Sequence, residues 1–364
     1  METQIIAYYL PQYHPTKHND EWWGKGFTEW TNVAKAKKLY PGHYQPKVPS
    51  ELGFYDLRLP QVREEQVKLA KEAGITGFCY YHYWFSKGHE ELDMPFKEVV
   101  RTGKPDFPFC LCWANESWYS KFWNKDGTAK KKLLAEQLYP GREDNEAHFY
   151  SLLEAFRDGR YIKINEKLLF VIYQPLKFED FKGFKEQWNA LAKKNSLPEF
   201  YFVGQSLSKN DTDKIIKIGF DAVNHCHRLD NYYQYNNSIS FLMRVFNKIG
   251  KLLNIPFIIP YAKAIQNAIF EEDFREDVFP TMMPNWDHTP RSGSGGTVLH
   301  NSTPELFERH AFQVLDTTLN KQNKVVFVKS WNEWGEGNYL EPDLKFGKSY
   351  IFALRNAIEK LNLK

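Results

Sequence analysis

The chain has 364 residues, with 48 basic side chains nearly balanced by 45 acidic ones for a net charge of +3. These totals give no electrostatic case for nucleic acid as a partner, and local clusters such as the lysines at 130–132 read as solvated faces. No run of about 18 consecutive apolar residues occurs, so no transmembrane helix is expected, while an aromatic content of 16% is enough to line a carbohydrate-gripping cleft as well as fill a core.

The N-terminus enters a strand-like segment at 4–10 without a basic region, a long apolar stretch or a small-residue cleavage site, so export by a signal peptide is not expected. Further strand-like runs follow at 77–83, 107–113, 168–173, 200–204, 222–225, 278–283 and 324–329. Helical patterns lie between them at 59–73, 145–156, 181–194, 304–319 and 350–361. Gly74 reads as a helix C-cap, and Ser302 and Thr303 before Pro304 as an N-cap with a first-turn proline. About eight strand-like runs with helical patterns between them predict an α/β chain: a single (β/α)8 TIM-type barrel over 1–364 with loop insertions after the first and sixth strands.

The first insertion, 14–57, carries Trp22, Trp23, Phe27, Trp30 and Tyr44 among many Gly and Pro residues and is expected to wall the barrel mouth. The second, 238–270, has Phe241, Leu242, Val245, Phe246, Ile249, Leu252 and Leu253 at helical spacing, with Arg244, Lys248 and Lys251 on another face. That pattern is read first as a helical lid packed on the barrel, and as the alternative an amphipathic helix in peripheral contact with a membrane. Cys79, Cys110, Cys112 and Cys226 all fall in or at the end of apolar runs. They are expected as small buried hydrophobes in a reducing, cytoplasmic setting, and Cys110-x-Cys112 without a matching Cys/His cluster is a weak metal signal.

In such a barrel the chemistry sits where strands end. The polar and aromatic tails here are Gln12 to His14, Tyr81, His82, Tyr83 and Trp84, Trp113, Asn115 and Glu116, Gln174, Gln205, Asn224 and His225, then Asn285, Trp286 and Asp287. The last tail is the most informative. Residues 325–337 read VVFVKSWNEWGEG, a β-branched apolar run ending in Glu333 and Glu336 among Trp331, Asn332 and Trp334. Glu-x-x-Glu on a solvated helix face would mean only charge. After a buried strand, with Gly335 allowing a tight turn, it points instead to an acid and a base facing one cleft within roughly 5–8 Å of each other, the requirement of glycosyl transfer. The two are expected to titrate unequally, the one serving as acid held protonated nearer neutrality by its carboxylate neighbour and the surrounding aromatics, and the neighbouring Trp and Asn are expected to stack on and hydrogen-bond to sugar rings.

Residues 7–14 (AYYLPQYH), 27–30 (FTEW), 80–85 (YYHYWF), 113–118 (WANESW), 284–291 (PNWDHTPR) and 330–342 (SWNEWGEGNYLEP) together resemble the WbsX-like proteins of bacterial surface-polysaccharide loci, which are related to glycoside hydrolase family 99. The resemblance spans nearly the whole chain. It implies a barrel acting on glycans with no metal and no cofactor. By position Glu333 would be the base that deprotonates the sugar's own 2-hydroxyl, giving an epoxide-like intermediate, and Glu336 the acid that protonates the leaving oxygen; the alternative is a direct Glu nucleophile. Tyr8 and Arg291 join the tail residues as implied substrate-binding groups. Gly335 stands where the hydrolases tend to carry a bulkier polar residue.

The expected function is therefore making or cleaving glycosidic bonds in assembly of O-antigen or capsule, on an oligosaccharide or lipid-linked glycan. Two rivals are an endo-acting α-mannoside-type hydrolase of glycan degradation and a non-catalytic glycan-binding protein, the latter having no need of a matched acid and base. The Gly-rich residues 292–296 (SGSGG) lack the spacing of a phosphate-binding loop, which argues against an ordinary nucleotide-sugar transferase.

Overall fold

The computed structural model describes residues 3–123, 129–226, 250 and 253–362. Eight parallel strands form a closed barrel: β1 (Gln4–Tyr9), β2 (Gly77–Ser86), β3 (Phe109–Trp113), β4 (Lys167–Ile172), β5 (Phe200–Ser206), β6 (Ala222–His225), β7 (Val278–Met282) and β8 (Val325–Val328). Each pairs with the next, and β1 closes the ring, with Ile6 opposite Gly77 of β2 on one side and Phe327 of β8 on the other. Strands covered on both faces need apolar side chains on both faces, which is why Val326, Phe327 and Val328 are all fully buried in one unbroken run.

Helices cover the barrel outside. Ser349–Asn362 packs against both Pro304–Asp316 and Pro60–Ala73, so the last helix seals the seam between the two ends of the barrel. Gly74 ends Pro60–Ala73 in the left-handed region, at φ 85°, and its N–H reaches back to the carbonyls of Ala70 and Lys71. A Cβ there would also stand 2.6 Å from Ile358 of the C-terminal helix. Thr303 caps Pro304–Asp316 as the sequence predicts, but that helix stops short of residue 319. The hydroxyls of Thr317 and Thr318 donate to the carbonyls of Val314 and Leu315, competing with continuation of the ladder. The helix expected at 145–156 is two, Arg142–Ser151 and Leu153–Arg157, separated where Leu152 leaves helical geometry.

The first excursion holds two short helices, Lys17–Trp23 and Glu29–Lys35. Of the second, the apolar residues 241–252 lie outside the described residues. Its later part forms a strand, Phe257–Pro260, parallel to Thr297–His300, and Ile259, Tyr261 and Ile265 pack on Met283, Trp286 and Leu299 beyond β7. The four cysteines are free thiols and buried. Among the described residues no helix is long and apolar enough to cross a membrane.

One stitch joins the tails of β1 and β8. Asn332, with no solvent exposure, accepts from the Leu10 N–H at 2.8 Å and donates to the Leu10 carbonyl at 3.0 Å, and the Trp331 N–H donates to the Tyr8 carbonyl. Removing the amide strands a buried donor and acceptor of Leu10. We therefore expect Asn332→Ala to lower unfolding free energy by about 2–4 kcal/mol in urea melts, whereas a loss under about 0.5 kcal/mol would show that the stitch is not structural.

Candidate active site

A cavity of about 930 Å³ opens at the C-terminal ends of the strands. Every barrel strand contributes through its end or tail: Gln12, Tyr81 and Tyr83, Glu116, Tyr173, Leu207, Cys226, Trp286, then Lys329, Glu333 and Glu336 in order around the ring. Trp23, Phe27, Glu29 and Asn32 from the first excursion and Trp118 beyond β3 complete its wall.

Local geometry aims the two carboxyls together. After β8 the chain makes a short antiparallel bridge, Asn332–Glu333 against Asn338–Tyr339, around a single 3-10 turn, Trp334–Glu336. Glu333 caps that turn, and residues three apart nearly eclipse in a 3-10 helix, so Glu333 and Glu336 project to one side. Gly337 closes the turn at φ 54°, where a Cβ would press on Asp287 and Lys47.

Arg291, on the turn Thr289–Ser292 beyond β7, is the cation between them. Its Nη1 lies 2.5 Å from Glu336 Oε1 and 3.7 Å from Glu333 Oε1, and its Nε donates to Glu29 Oε1 at 2.9 Å. Two oxygens on one nitrogen at those distances are no more than about 6 Å apart, closer than the spacing that leaves room for an inverting water. Lys329 Nζ stands 3.8 Å from Glu333 Oε2 and donates to the Tyr81 hydroxyl at 3.2 Å, while His288 Nε2 is 3.5 Å from Glu336 Oε1.

The pair is electrostatically split. Burial pushes the Glu333 carboxyl up to about 7, helped by the charge of Glu336 and opposed by Lys329 and Arg291. Burial acts on Glu336 in the same direction, but there Arg291 in contact, with His288 and Lys329, outweighs it and holds the carboxyl well below the ordinary range. Burial likewise disfavours the Lys329 ammonium, yet Glu333 beside it keeps it charged well above its usual pKa. The electrostatics split the pair, but they favour the proton nearer neutrality on Glu333 and not on Glu336, the carboxyl expected as the acid. That is the reverse of the free-state charge an acid at Glu336 would carry.

Of the other residues singled out from sequence, the structure brings Gln12, Tyr81, Glu116, Trp286 and Arg291 to the cavity. Tyr8 lies in the barrel interior, stacked on Tyr81 and Phe327, and donates to Asn224 Oδ1. The rest do not line the cavity. His82 faces outward against His148, at 2.8 Å, and burial lowers its pKa to about 3. Trp84 stacks on the same His148, and Trp113 donates to the Trp84 carbonyl. Asn115 bonds both backbone groups of Gln174, tying two strand tails together. His225 is held by Asp273 and Thr212. Asn285 pins Asn338 and Tyr339, and Asp287 accepts from His43, Gln45 and Thr289.

The tryptophans expected as sugar platforms are corrected most clearly. Trp331 and Trp334 have no solvent exposure. Trp334 stacks on Tyr339 at 3.7 Å and donates to Glu341, while Trp331 packs on Phe78. Both rings lie beneath the turn and form its floor.

Sequence reasoning missed Lys329, Tyr173 and above all Glu29, while Tyr83, read in the tail of β2, does line the cavity. Lys329 was visible as the charge that ends an apolar run; Glu29 sits in the FTEW segment, whose glutamate drew no chemical reading. Its carboxylate is buried and occupies the space beside Gly335: a Cβ on residue 335 would fall 1.7 Å from Glu29 Oε1 and 2.5 Å from its Cδ. The small residue in the motif is therefore the seat of a third carboxylate.

A closed (β/α)8 barrel with paired carboxyls in an aromatic mouth defines a carbohydrate-active barrel. The profile of the family described as Glycosyltransferase WbsX matches residues 5–354, and the chain belongs to that family. It is 32% identical over 364 residues, 98% of its length, to two Xanthomonas campestris pv. campestris proteins, each described as uncharacterized protein WxcX, and spans about half the length of those curated relatives (50%). Among solved structures it is similar to the GH99 endo-alpha-mannosidase from Bacteroides thetaiotaomicron, with a TM-score of 0.54 at 15% identity over 100% of both chains. A glycoside hydrolase-like protein gives 0.57 at 14% identity, covering 98% of this chain and 94% of that one. At such identities the likeness is one of fold.

The seat of Glu29 is testable by a double-mutant cycle. Gly335→Ala should cost about 1–3 kcal/mol by overpacking, and Glu29→Ala in that background should recover most of the loss, giving strong coupling. Additive effects in denaturation would show that the two positions do not touch.

Proposed function

We propose that the chain makes or cleaves glycosidic bonds in assembly of a bacterial surface polysaccharide, O-antigen or capsule, on an oligosaccharide or lipid-linked glycan. The observation that carries this reading is the carboxyl pair: a buried Glu333 and a largely covered Glu336, no more than about 6 Å apart in an electrostatic setting that favours unequal ionisation, at the mouth where all eight strands end. The family's description as glycosyltransferases supports transfer, and the fold shared with an endo-alpha-mannosidase supports retaining-type chemistry. Four buried cysteines outside any disulfide support a reducing, cytoplasmic compartment.

In this reading Glu333 is the base. A carboxyl pushed up to about 7 has the strength to accept a proton from a sugar hydroxyl near neutrality. Glu336 protonates the leaving oxygen, which requires that a bound glycan first draw Arg291 off it, toward Glu29, where its Nε already rests. The free-state charges favour a second reading with the roles exchanged, Glu333 delivering the proton.

Activated donors separate the two. With glycosides whose leaving groups need a proton, Glu333→Gln and Glu336→Gln should each cut turnover by about 10²–10⁴-fold, with retained anomeric configuration in the wild-type product. With a glycosyl fluoride or a nitrophenyl glycoside, Glu336→Gln should regain turnover and Glu333→Gln should not. Rescue of Glu333→Gln instead would exchange the roles, and full activity of either variant on all donors would remove the pair from the chemistry.

A further inference from the structure

Away from the carboxyl pair, three metal-ligating side chains converge at the rim of the mouth. Thr16 accepts from the Asn19 N–H and starts the helix Lys17–Trp23, placing His18 on its first turn. β2 runs past the barrel and turns back as a short antiparallel strand, His89–Glu91, in which the period of two sets His89 and Glu91 on one face. His18 Nδ1 and His89 Nε2 both meet the same oxygen, Glu91 Oε1, the second at 2.7 Å. The three ligand atoms lie within 4.8 Å of one another.

The charge balance singles this cluster out. The Glu91 side chain is 4% exposed, and a carboxylate buried that deeply needs a counter-charge. Among the described residues its ion-pair partners are the two imidazoles, with no lysine or arginine. An imidazole supplies positive charge only when protonated, whereas a divalent cation supplies it while both rings are neutral. Packing holds the rings in place: Trp22 stacks on His18 at 5.4 Å and 16°, and Phe85 lies against His89 at 5.2 Å. On their far sides the rings are 41% and 38% exposed, which leaves an entry path and room for a water ligand.

We propose that His18, His89 and Glu91 bind one divalent cation of the zinc class, with solvent in the fourth position. Two imidazole nitrogens and one carboxylate oxygen are the donor set that borderline cations select. None of the three lines the cavity of Glu333 and Glu336, so the cation is structural rather than part of the chemistry there. It joins the first excursion to the extension of β2. Trp22, on the same helix as His18, meets Trp118 edge-on at 5.9 Å, and Trp118 lines the cavity, so the clamp fixes one wall of the cleft.

The test uses the chelator-stripped full chain, titrated with Zn2+ against a chromophoric chelator and with Co2+ by visible absorption. The expected result is one ion per chain, a four-coordinate Co2+ spectrum and a melting temperature raised by the metal. Glu91→Gln and the double substitution His18→Ala/His89→Ala should weaken binding at least about tenfold while keeping the wild-type circular dichroism. Absence of stoichiometric binding, or binding that survives both changes, overturns the proposal. So does a melting temperature that responds to pH but not to Zn2+ or Co2+, which would assign the cluster to hydrogen bonding alone.

Discussion

The arrangement of the mouth depends on one cation shared among three carboxylates. Arg291 touches Glu29 through Nε and Glu336 through Nη1, with Glu333 slightly farther from the same Nη1. The guanidinium is in contact with Glu29 and Glu336 but not with Glu333, so the carboxyl it does not touch takes up a proton instead. That is Glu333, whose Oε2 has no hydrogen-bond partner and whose two cations, Arg291 and Lys329, stand off at 3.7 and 3.8 Å. The asymmetry that acid–base chemistry needs thus follows from where one arginine rests.

The surrounding architecture exists to hold that geometry. A 3-10 turn between two tiny strands aims both glutamates, Asn332 ties the turn to the tail of β1, and Trp334 stacked on Tyr339 floors it. Buried polar networks of this kind are costly unless every member is satisfied. Here Glu341 is a case in point: burial pushes its carboxyl up to about 7, although Trp334, Gln66 and Tyr55 all donate to it. It lies under the turn rather than in the cavity, and its task is to fasten the floor.

The barrel was legible because its signals are periodic and repeated. All eight strands appear where apolar runs place them, and the positions of Glu333, Glu336 and Arg291 follow from strand-end logic and motif. Orientation was not legible. Trp113, Trp331 and Trp334 have the composition of sugar platforms but are rotated inward, and His82, Asn115 and His225 satisfy neighbours rather than face the cleft. A residue's type tells what it could contact, whereas its place on an alternating tail decides what it does contact. Glu29 escaped for the complementary reason: it lies about 300 positions from the motif it completes, and only the fold brings it against Gly335.

The most direct test of this account is a carboxyl 13C titration of the glutamates in the ligand-free protein, with assignments from Glu333→Gln and Glu336→Gln. A folded-state pKa raised above the ordinary value keeps a proton as pH rises, and a depressed one releases it before the ordinary range is reached. The predicted result is one resonance, Glu333, titrating near pH 7, while Glu336 stays ionised from pH 9 down past pH 4. Two resonances titrating together near the ordinary carboxyl value would contradict the claim that Arg291 splits the pair.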